Sequence, residues 1–182
     1  RLAHPFSDDT LSESYKKYRT FTHGDPKQAN LFFRRSTESE LLDVGLIDFQ
    51  WSGFGLAASD IAHFISSAVH ADRLIDGGEE FLMRYYFDEL QHHLVEYGAF
   101  STSEDAVQHY SYDTFVEQYE TGFLDLCRLV IAYTWDRFTE PVEKDDKEGC
   151  ARTMNKTSYN KAIRNAVWLI SRCDEIMRKR GV

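Results

Sequence analysis

Residues 23–30 of this 182-residue chain read His-Gly-Asp-Pro-Lys-Gln-Ala-Asn, and residues 47–50 read Ile-Asp-Phe-Gln. Asp25, Asn30 and Asp48 place three oxygen-bearing side chains in these two segments. We expect an intervening hairpin to bring the three side chains together at one of its ends. The rest of the chain is then expected to form the scaffold that holds this hairpin.

Two apolar, β-prone runs flank a polar connection. Residues 31–34 form the first run, residues 44–49 form the second, and residues 35–43 lie between them. This pattern predicts an antiparallel hairpin. Asn30 comes just before the first strand and Asp48 near the end of the second, so antiparallel pairing would bring these two residues together.

The types of these side chains suit one kind of chemistry. Magnesium takes hard oxygen ligands and is usually held by one or two carboxylates together with substrate phosphates. Phosphoryl transfer needs such a cation, and it needs a carboxylate that orients the attacking hydroxyl and accepts its proton. The set therefore predicts a site for a magnesium-bound phosphate chain and a hydroxyl nucleophile. The competing interpretation is an Asx-rich turn, because Asp and Asn are common in turns for local reasons.

Composition indicates a single globular domain. Apolar residues make up 42% of the chain and charged residues 28%, which is ordinary for a folded domain. The net charge of −9 argues against a non-specific grip on nucleic acid, which needs a basic surface. No uncharged run approaches the ~18 residues needed to cross a bilayer. We therefore expect neither nucleic acid nor a membrane as a partner.

The cysteines indicate the compartment of the protein, and the first residues indicate whether the chain is part of a longer one. Cys127, Cys150 and Cys173 are odd in number and widely spaced, with no CxxC pair. This pattern favours free thiols in a reducing compartment, so we expect a cytoplasmic protein. The chain opens Arg-Leu-Ala-His-Pro, with neither an initiator Met nor a signal peptide, and is expected to be a piece of a longer protein.

Helical patterns dominate outside the hairpin. Residues 50–56 are expected to form a glycine-containing loop, and Ser59 or Asp60 to cap the helix that follows. The longest pattern, residues 112–138, is apolar nearly all round and is predicted to be central. The predicted fold class is therefore α+β, mainly helical with a small β-hairpin. The predicted helices cover residues 8–18, 59–71, 79–97, 101–103, 112–138 and 158–180, and a short strand covers residues 19–22.

Four further features are interpreted as structural. Residues 53–58 fit the G-x-G-x-x-A dinucleotide fingerprint, but no second strand follows the helix within the expected unit. His92 and His93 are adjacent and are predicted to point to different faces of their helix, which disfavours a metal pair. Trp51, Trp135 and Asp136 could line an acceptor pocket, although core packing is favoured. His63 is predicted to be packed or hydrogen-bonded.

Several of these segments resemble a known superfamily. Residues 23–30 match the H-x-D-x-x-x-x-N catalytic loop of the protein-kinase-like superfamily, and residues 46–49 match its metal-binding Asp-Phe segment. Gly24 and the Ile-Asp-Phe-Gln ending resemble the small-molecule branch, namely aminoglycoside phosphotransferases, choline kinases and especially the ecdysteroid-kinase-like group. Residues 59–62, Ser-Asp-Ile-Ala, are similar to the Asp-Leu-Ala segment of those enzymes. The combined match spans residues 22–65.

The resemblance implies that residues 1–182 form one kinase-like C-terminal lobe. Its catalytic loop would be residues 22–30, its metal-binding segment residues 46–50 and its helical subdomain residues 57–182. The N-terminal lobe of such kinases carries a loop over the phosphates and a strand lysine. No glycine-rich loop precedes His23, so this lobe is absent here and is expected in the full-length protein.

The resemblance also implies roles for individual residues. Asp25 would be the catalytic base or the group that orients the hydroxyl. Lys27 would contact the transferring phosphate, the alternative being a solvated charge. Asn30 and Asp48 would bind magnesium and, through it, the nucleotide.

Two further residues would support the loop, His23 from behind and Asp60 through hydrogen bonds to its backbone.

The implied function is an ATP- and magnesium-dependent kinase that phosphorylates a hydroxyl of a small molecule. Steroid alcohols, choline-like amino alcohols and aminoglycosides all fit as acceptors. One alternative is a catalytically inactive kinase-like lobe that acts as a binding module. Another is a helical interaction protein whose motif is accidental.

Overall fold

The computed structural model describes residues 13–37, 40–134 and 163–182. Its fold is α+β and mainly helical, as predicted. The strands are β1 (Arg19–Thr22), β2 (Leu31–Arg35), β3 (Leu41–Leu46) and β4 (Gly53–Leu56). The helices are α1 (Glu13–Lys16), α2 (Ala57–Ala68), α3 (Gly78–Glu96), α4 (Ser103–His109), α5 (Tyr112–Thr134) and α6 (Ile163–Lys179), and 3₁₀ turns cover Gln28–Asn30, Phe49–Trp51 and Ala71–Arg73.

The predicted helices are present where the structure describes them. The ends of α2 and α3 lie within a few residues of their predicted bounds, and α4 extends a predicted single turn. Only the last part of the helix predicted over residues 8–18 falls on described residues, where it forms α1. Residues 135–138, at the end of the helix predicted for α5, lie outside the described residues. So do residues 158–162, at the start of the helix predicted for α6.

The predicted hairpin is formed by β2 and β3. Its antiparallel register pairs Leu31 with Leu46 and Arg34 with Asp43. At the open end, the backbone N–H of Ile47 donates to the carbonyl oxygen of Asn30 at 3.1 Å. The hairpin therefore joins the end of the 23–30 loop to the start of the 47–50 segment.

A second two-stranded sheet corrects the loop predicted over residues 50–56. Residues 53–56 form β4, which pairs antiparallel with β1, and Thr22 lies opposite Gly53. Gly55 permits the close approach, because a Cβ there would lie 3.1 Å from the hydroxyl oxygen of Thr22. Since β1 is remote in sequence, glycine's low strand propensity alone gave the wrong prediction. The pairing also fixes residues 53–56 as a strand rather than a dinucleotide loop.

Helices α2 and α5 form the centre of the core. Ala58 and Ala62 of α2 are fully buried, and Gly122 of α5 would place a Cβ only 3.2 Å from the Cα of Ser59. These small residues let the two helices approach closely. The predicted central position of α5 is confirmed, since most of its large apolar side chains are buried. They are Phe115, Tyr119, Phe123, Leu124, Cys127 and Val130.

A partly buried ionic network attaches α6 to the rest of the fold. Arg172 donates from Nε to Glu79 of α3 at 2.7 Å, and Tyr119 donates its hydroxyl to the same carboxylate at 2.9 Å. Lys179 donates to Glu120 of α5 at 2.9 Å, and that carboxylate is buried. Because each buried carboxylate has a cationic partner, the network orients α6 without leaving an unpaired buried charge.

The predicted free thiols are found at two positions. Cys127 is buried and Cys173 is partly buried, and neither forms a disulfide. Cys150 lies outside the described residues. None of the helices in the described ranges is long and apolar enough to cross a membrane.

Candidate active site

The loop between β1 and β2 buries the side chains that the sequence singled out. Asp25 is 6% exposed and Asn30 is 4% exposed. Asn30 donates from Nδ2 to the backbone oxygen of Asp25 at 2.9 Å and to its Oδ2 at 3.3 Å. Both donors of this amide therefore point at Asp25, so Asn30 Oδ1 is the atom that could ligate a cation.

Lys27 forms an ion pair with Asp25. Its Nζ contacts Asp25 Oδ2, and its side chain is 17% exposed. The backbone N–H of Lys27 also donates to the carbonyl oxygen of Asp25 at 2.9 Å. The tight turn at Pro26 thus folds the lysine back over the aspartate. Asp25 Oδ2 accepts hydrogen bonds from both Lys27 and Asn30.

His23 connects the loop to the 47–50 segment. Its Nε2 donates to the carbonyl oxygen of Ile47 at 2.9 Å, and its Nδ1 accepts from the backbone N–H of Asp25 at 3.3 Å. These two bonds require the neutral tautomer that carries its proton on Nε2. His23 therefore fixes the backbone of Asp25 and the residue that precedes Asp48.

Asp60 holds the loop from α2. Its two carboxylate oxygens accept the backbone N–H groups of His23 at 2.7 Å and of Gly24 at 3.1 Å. Burial raises the pKa of Asp60, and these two bonds oppose the rise. The prediction that Ser59 or Asp60 caps this helix was wrong, because α2 begins at Ala57 without a side-chain cap.

Asp48 occupies a strained position beside the loop. Its backbone adopts φ 64° and ψ 61°, a left-handed conformation that non-glycine residues adopt rarely. The side chain is exposed. Ile47 is bonded on one side to the Asn30 backbone and on the other to the His23 ring. The structure therefore joins Asp25 and Asn30 directly, and it connects the exposed Asp48 to their loop through its neighbour Ile47.

His63 belongs to the site, although its role there was not foreseen. Its Nε2 lies 3.5 Å from Asp25 Oδ1, and its side chain is 12% exposed. Burial is the main cause that lowers the pKa of His63 to about 4. The available sequence signal was its spacing of three residues from Asp60, which puts both side chains on one face of a helix.

We expect this buried histidine to make stability depend on pH. The unfolded chain protonates the imidazole below about pH 6.5, whereas the folded protein does so only near its pKa of about 4. The free energy of unfolding should therefore fall as the pH drops from about 6.5 to 4, by about 3 kcal/mol at most. Urea unfolding at several pH values, compared with His63→Gln, measures this contribution. Equal pH dependence in both proteins would contradict it, and exposed His92→Gln is the control.

Gly24 offers a test of the loop's packing. Its φ is +82°, and a Cβ there would lie 2.2 Å from the carbonyl oxygen of Trp51. Gly77 has a similar φ of +87° but open space around a Cβ. We expect Gly77→Ala to cost about 1–2 kcal/mol from backbone strain alone and Gly24→Ala to cost clearly more. Urea unfolding measures the loss in free energy of unfolding for each variant. Equal losses would show that the contact with Trp51 does not restrict residue 24.

Two other predictions about side chains need correction. Trp51 is 68% exposed, so the favoured core packing was wrong. It lies in the turn after Asp48, where the chain passes over Gly24. His92, His93 and Glu96 have ligand atoms within 4.8 Å of one another, so the two histidines do not point apart as predicted. All three are exposed, and His93 Nδ1 already lies 2.7 Å from Glu96 Oε2.

Comparison with known proteins places the chain in a family. The profile of the ecdysteroid kinase-like family matches residues 6–99. This range contains the 23–30 loop, the 47–50 segment, Asp60 and His63. Neither the curated proteins nor the solved structures yield a match. The family profile covers half of the sequence and every residue of the site just described, and the chain therefore belongs to the ecdysteroid kinase-like family.

Proposed function

We propose that this chain carries the catalytic loop of an ATP-dependent kinase that phosphorylates a hydroxyl of a small molecule. The observation that carries the proposal is the buried Asp25 carboxylate, held by Lys27 and Asn30 in a loop that the hairpin joins to the segment of exposed Asp48. A simple Asx turn needs neither a buried carboxylate nor a helix that anchors its backbone. The family match supports the general class, a kinase-like phosphotransferase.

The donor set fits magnesium. Asn30 offers a neutral amide oxygen and Asp48 an exposed carboxylate, and both are hard oxygen donors. The left-handed backbone of Asp48 is the kind of strain that the surrounding structure must maintain. When bound, magnesium would supply positive charge that offsets the negative charge of the phosphate groups. Asn30 and Asp48 are thus the proposed ligands.

Asp25 and Lys27 would act on the reacting groups. Asp25 Oδ1 would accept a hydrogen bond from the acceptor hydroxyl and align it with the γ-phosphoryl group of ATP. As the new P–O bond forms, the bond from the γ-phosphorus to the β,γ-bridging oxygen breaks, ADP leaves and Asp25 takes the hydroxyl proton. Lys27 pairs with Asp25 Oδ2. We propose that its ammonium group shifts toward the phosphate when nucleotide binds. Because the side chain of Lys27 is 17% exposed, its charge would act in a partly dehydrated site, where electrostatic stabilisation is strong.

The proposal includes a nucleotide-binding lobe supplied by further polypeptide. Both small sheets expose aromatic side chains beside the loop, which isolated domains usually bury. Phe21 is 65% and Phe54 73% exposed, and their rings make an edge-on pair. Phe32 and Phe33 of β2 are more than half exposed. A lobe that packs here would cover these rings and close the nucleotide site above Asp25.

A binding measurement and a transfer assay together test the proposal. Calorimetry on the full-length protein should detect ATP binding that requires magnesium. Transfer of the labelled γ-phosphate should then be measured to ecdysone, choline, kanamycin and water. Magnesium-dependent binding with transfer to ecdysone, choline or kanamycin supports the kinase, whereas transfer to water alone is ATP hydrolysis and does not. Binding without transfer favours the inactive binding module, and the absence of both supports the accidental motif.

The proposed location of the protein is the cytoplasm, where ATP and reduced thiols are both found.

A further inference from the structure

We propose that His63 is a positioning residue for the Asp25 carboxylate, an inference that rests on the proposed kinase function. Nothing in the catalytic-loop or Asp-Phe motifs identifies it, because it lies on α2 and outside both segments. Its imidazole lies closest to Asp25 Oδ1, whereas Lys27 and Asn30 contact Oδ2. Its effect on catalysis would be exerted through Asp25.

The placement of His63 follows from the anchoring of α2. Asp60 binds the backbone of the loop at His23 and Gly24. One turn later on the same face, His63 reaches the loop's buried side chain, with Nε2 3.5 Å from Asp25 Oδ1. The helix itself is fixed against α5 by fully buried Ala62 and Ile65 at 1% exposure. A rigid helix therefore contacts the loop at two points, its backbone and its carboxylate.

The two oxygens of Asp25 have different surroundings. Lys27 and Asn30 both contact Oδ2, whereas His63 faces Oδ1. Rotation of the carboxylate about its final torsion would exchange these surroundings. His63 restricts that rotation and occupies space that water would otherwise fill. Oδ1 is thereby kept as the oxygen that meets the acceptor hydroxyl.

The charge state of His63 suits this role. Burial lowers its pKa to about 4, so the ring is neutral near pH 7. A neutral ring does not add a second full positive charge to the one that Lys27 already brings to Asp25. The separation of 3.5 Å is longer than a normal hydrogen bond of about 2.7–3.2 Å. A hydrogen bond to Oδ1 would form with the tautomer that carries the ring proton on Nε2, once a small movement of the loop on substrate binding closes this gap.

Substitutions at His63 test the inference. In the full-length protein, His63→Phe keeps a planar ring but removes the polar nitrogen, and His63→Gln restores a polar group. We expect Phe to lower kcat for γ-phosphate transfer from magnesium–ATP to ecdysone or water by about 10–100-fold, with KM for ATP nearly unchanged. Gln should recover most of kcat. The exposed His92→Gln variant is the matched control and should behave as wild type.

The outcomes separate this inference from the function on which it rests. If Asp25→Asn is inactive while His63→Phe keeps normal kcat, the positioning role is wrong and the kinase assignment stands. If Asp25→Asn keeps normal turnover, the kinase assignment itself fails. Thermal unfolding checks that each variant is folded, and His63→Leu replaces Phe if the latter does not fold. Loss of folding in every variant, Gln included, would mark His63 as a purely structural residue and contradict the proposal.

Discussion

Replacing Asp25 with asparagine should lower turnover by about 10³-fold while leaving magnesium–ATP affinity within a few-fold of wild type. A positioned general base contributes about 10²–10⁴-fold to rate, and asparagine keeps the volume of aspartate but cannot take a proton. The nucleotide should still bind, because the proposed ligands Asn30 and Asp48 are unchanged. Single-turnover kinetics measure the chemical step, and calorimetry measures the affinity.

The isosteric variant is preferred to alanine for a structural reason. Asp25 is 6% exposed and carries the Lys27 ion pair and a contact from Asn30. Truncation to alanine would leave a cavity and a largely buried ammonium group, which itself can unfold a loop. Near-normal turnover in Asp25→Asn, with the melting temperature preserved, would remove the base from the mechanism. A loss of affinity equal to the loss of turnover would instead indicate a binding role.

The hairpin was predictable because its information is local. Apolar β-prone runs on either side of a polar connection specify strands β2 and β3 from their own residues. The contact between Ile47 and Asn30 then follows from pairing alone. Strand β4 was not predictable in this way. Gly53 and Gly55 have low strand propensity, and their pairing depends on β1, which is more than thirty residues earlier.

The same difference between local and long-range information applies to the site residues. The 23–30 loop and Asp48 are carried by short motifs, so the sequence could single them out. The whole hairpin lies between Asp25 and His63 in the sequence. Their contact depends on how α2 packs against α5. Asp60 shows a related limit, since an acidic residue in the first turn of a helix looks like a cap. The family resemblance pointed to a bond with the loop backbone, and the fold shows that the carboxylate makes this bond and does not cap the helix.

The exposure of Trp51 has a similar explanation. Tryptophan is highly buried on average, so a single tryptophan next to a glycine-rich segment favours core packing. In the fold, the 3₁₀ turn after Asp48 directs this side chain outward while its backbone oxygen lies over Gly24. The backbone of Trp51 is thus constrained by the site, and its side chain remains available to a ligand or to another lobe.

Replacing Asp48 with asparagine should weaken magnesium-dependent ATP binding and lower turnover by about 10²-fold or more. A carboxylate ligand neutralises part of the cation's charge, and an amide of the same size does not. Asparagine is the informative substitution because it tolerates the left-handed backbone at φ 64°. Alanine there would add backbone strain to the loss of the ligand and would confuse the two effects.

Asp43→Asn is the matched control for Asp48. Asp43 lies on β3 of the same hairpin, is exposed, and forms a long surface contact with Arg34 at 3.4 Å. Surface pairs of this kind contribute about 0–1 kcal/mol, so the control should keep wild-type binding and turnover. Titrating magnesium at fixed ATP separates the two variants: Asp48→Asn should need much more cation for half-maximal binding, and Asp43→Asn should not. Equal magnesium requirements in the two variants would show that the cation is not held by Asp48.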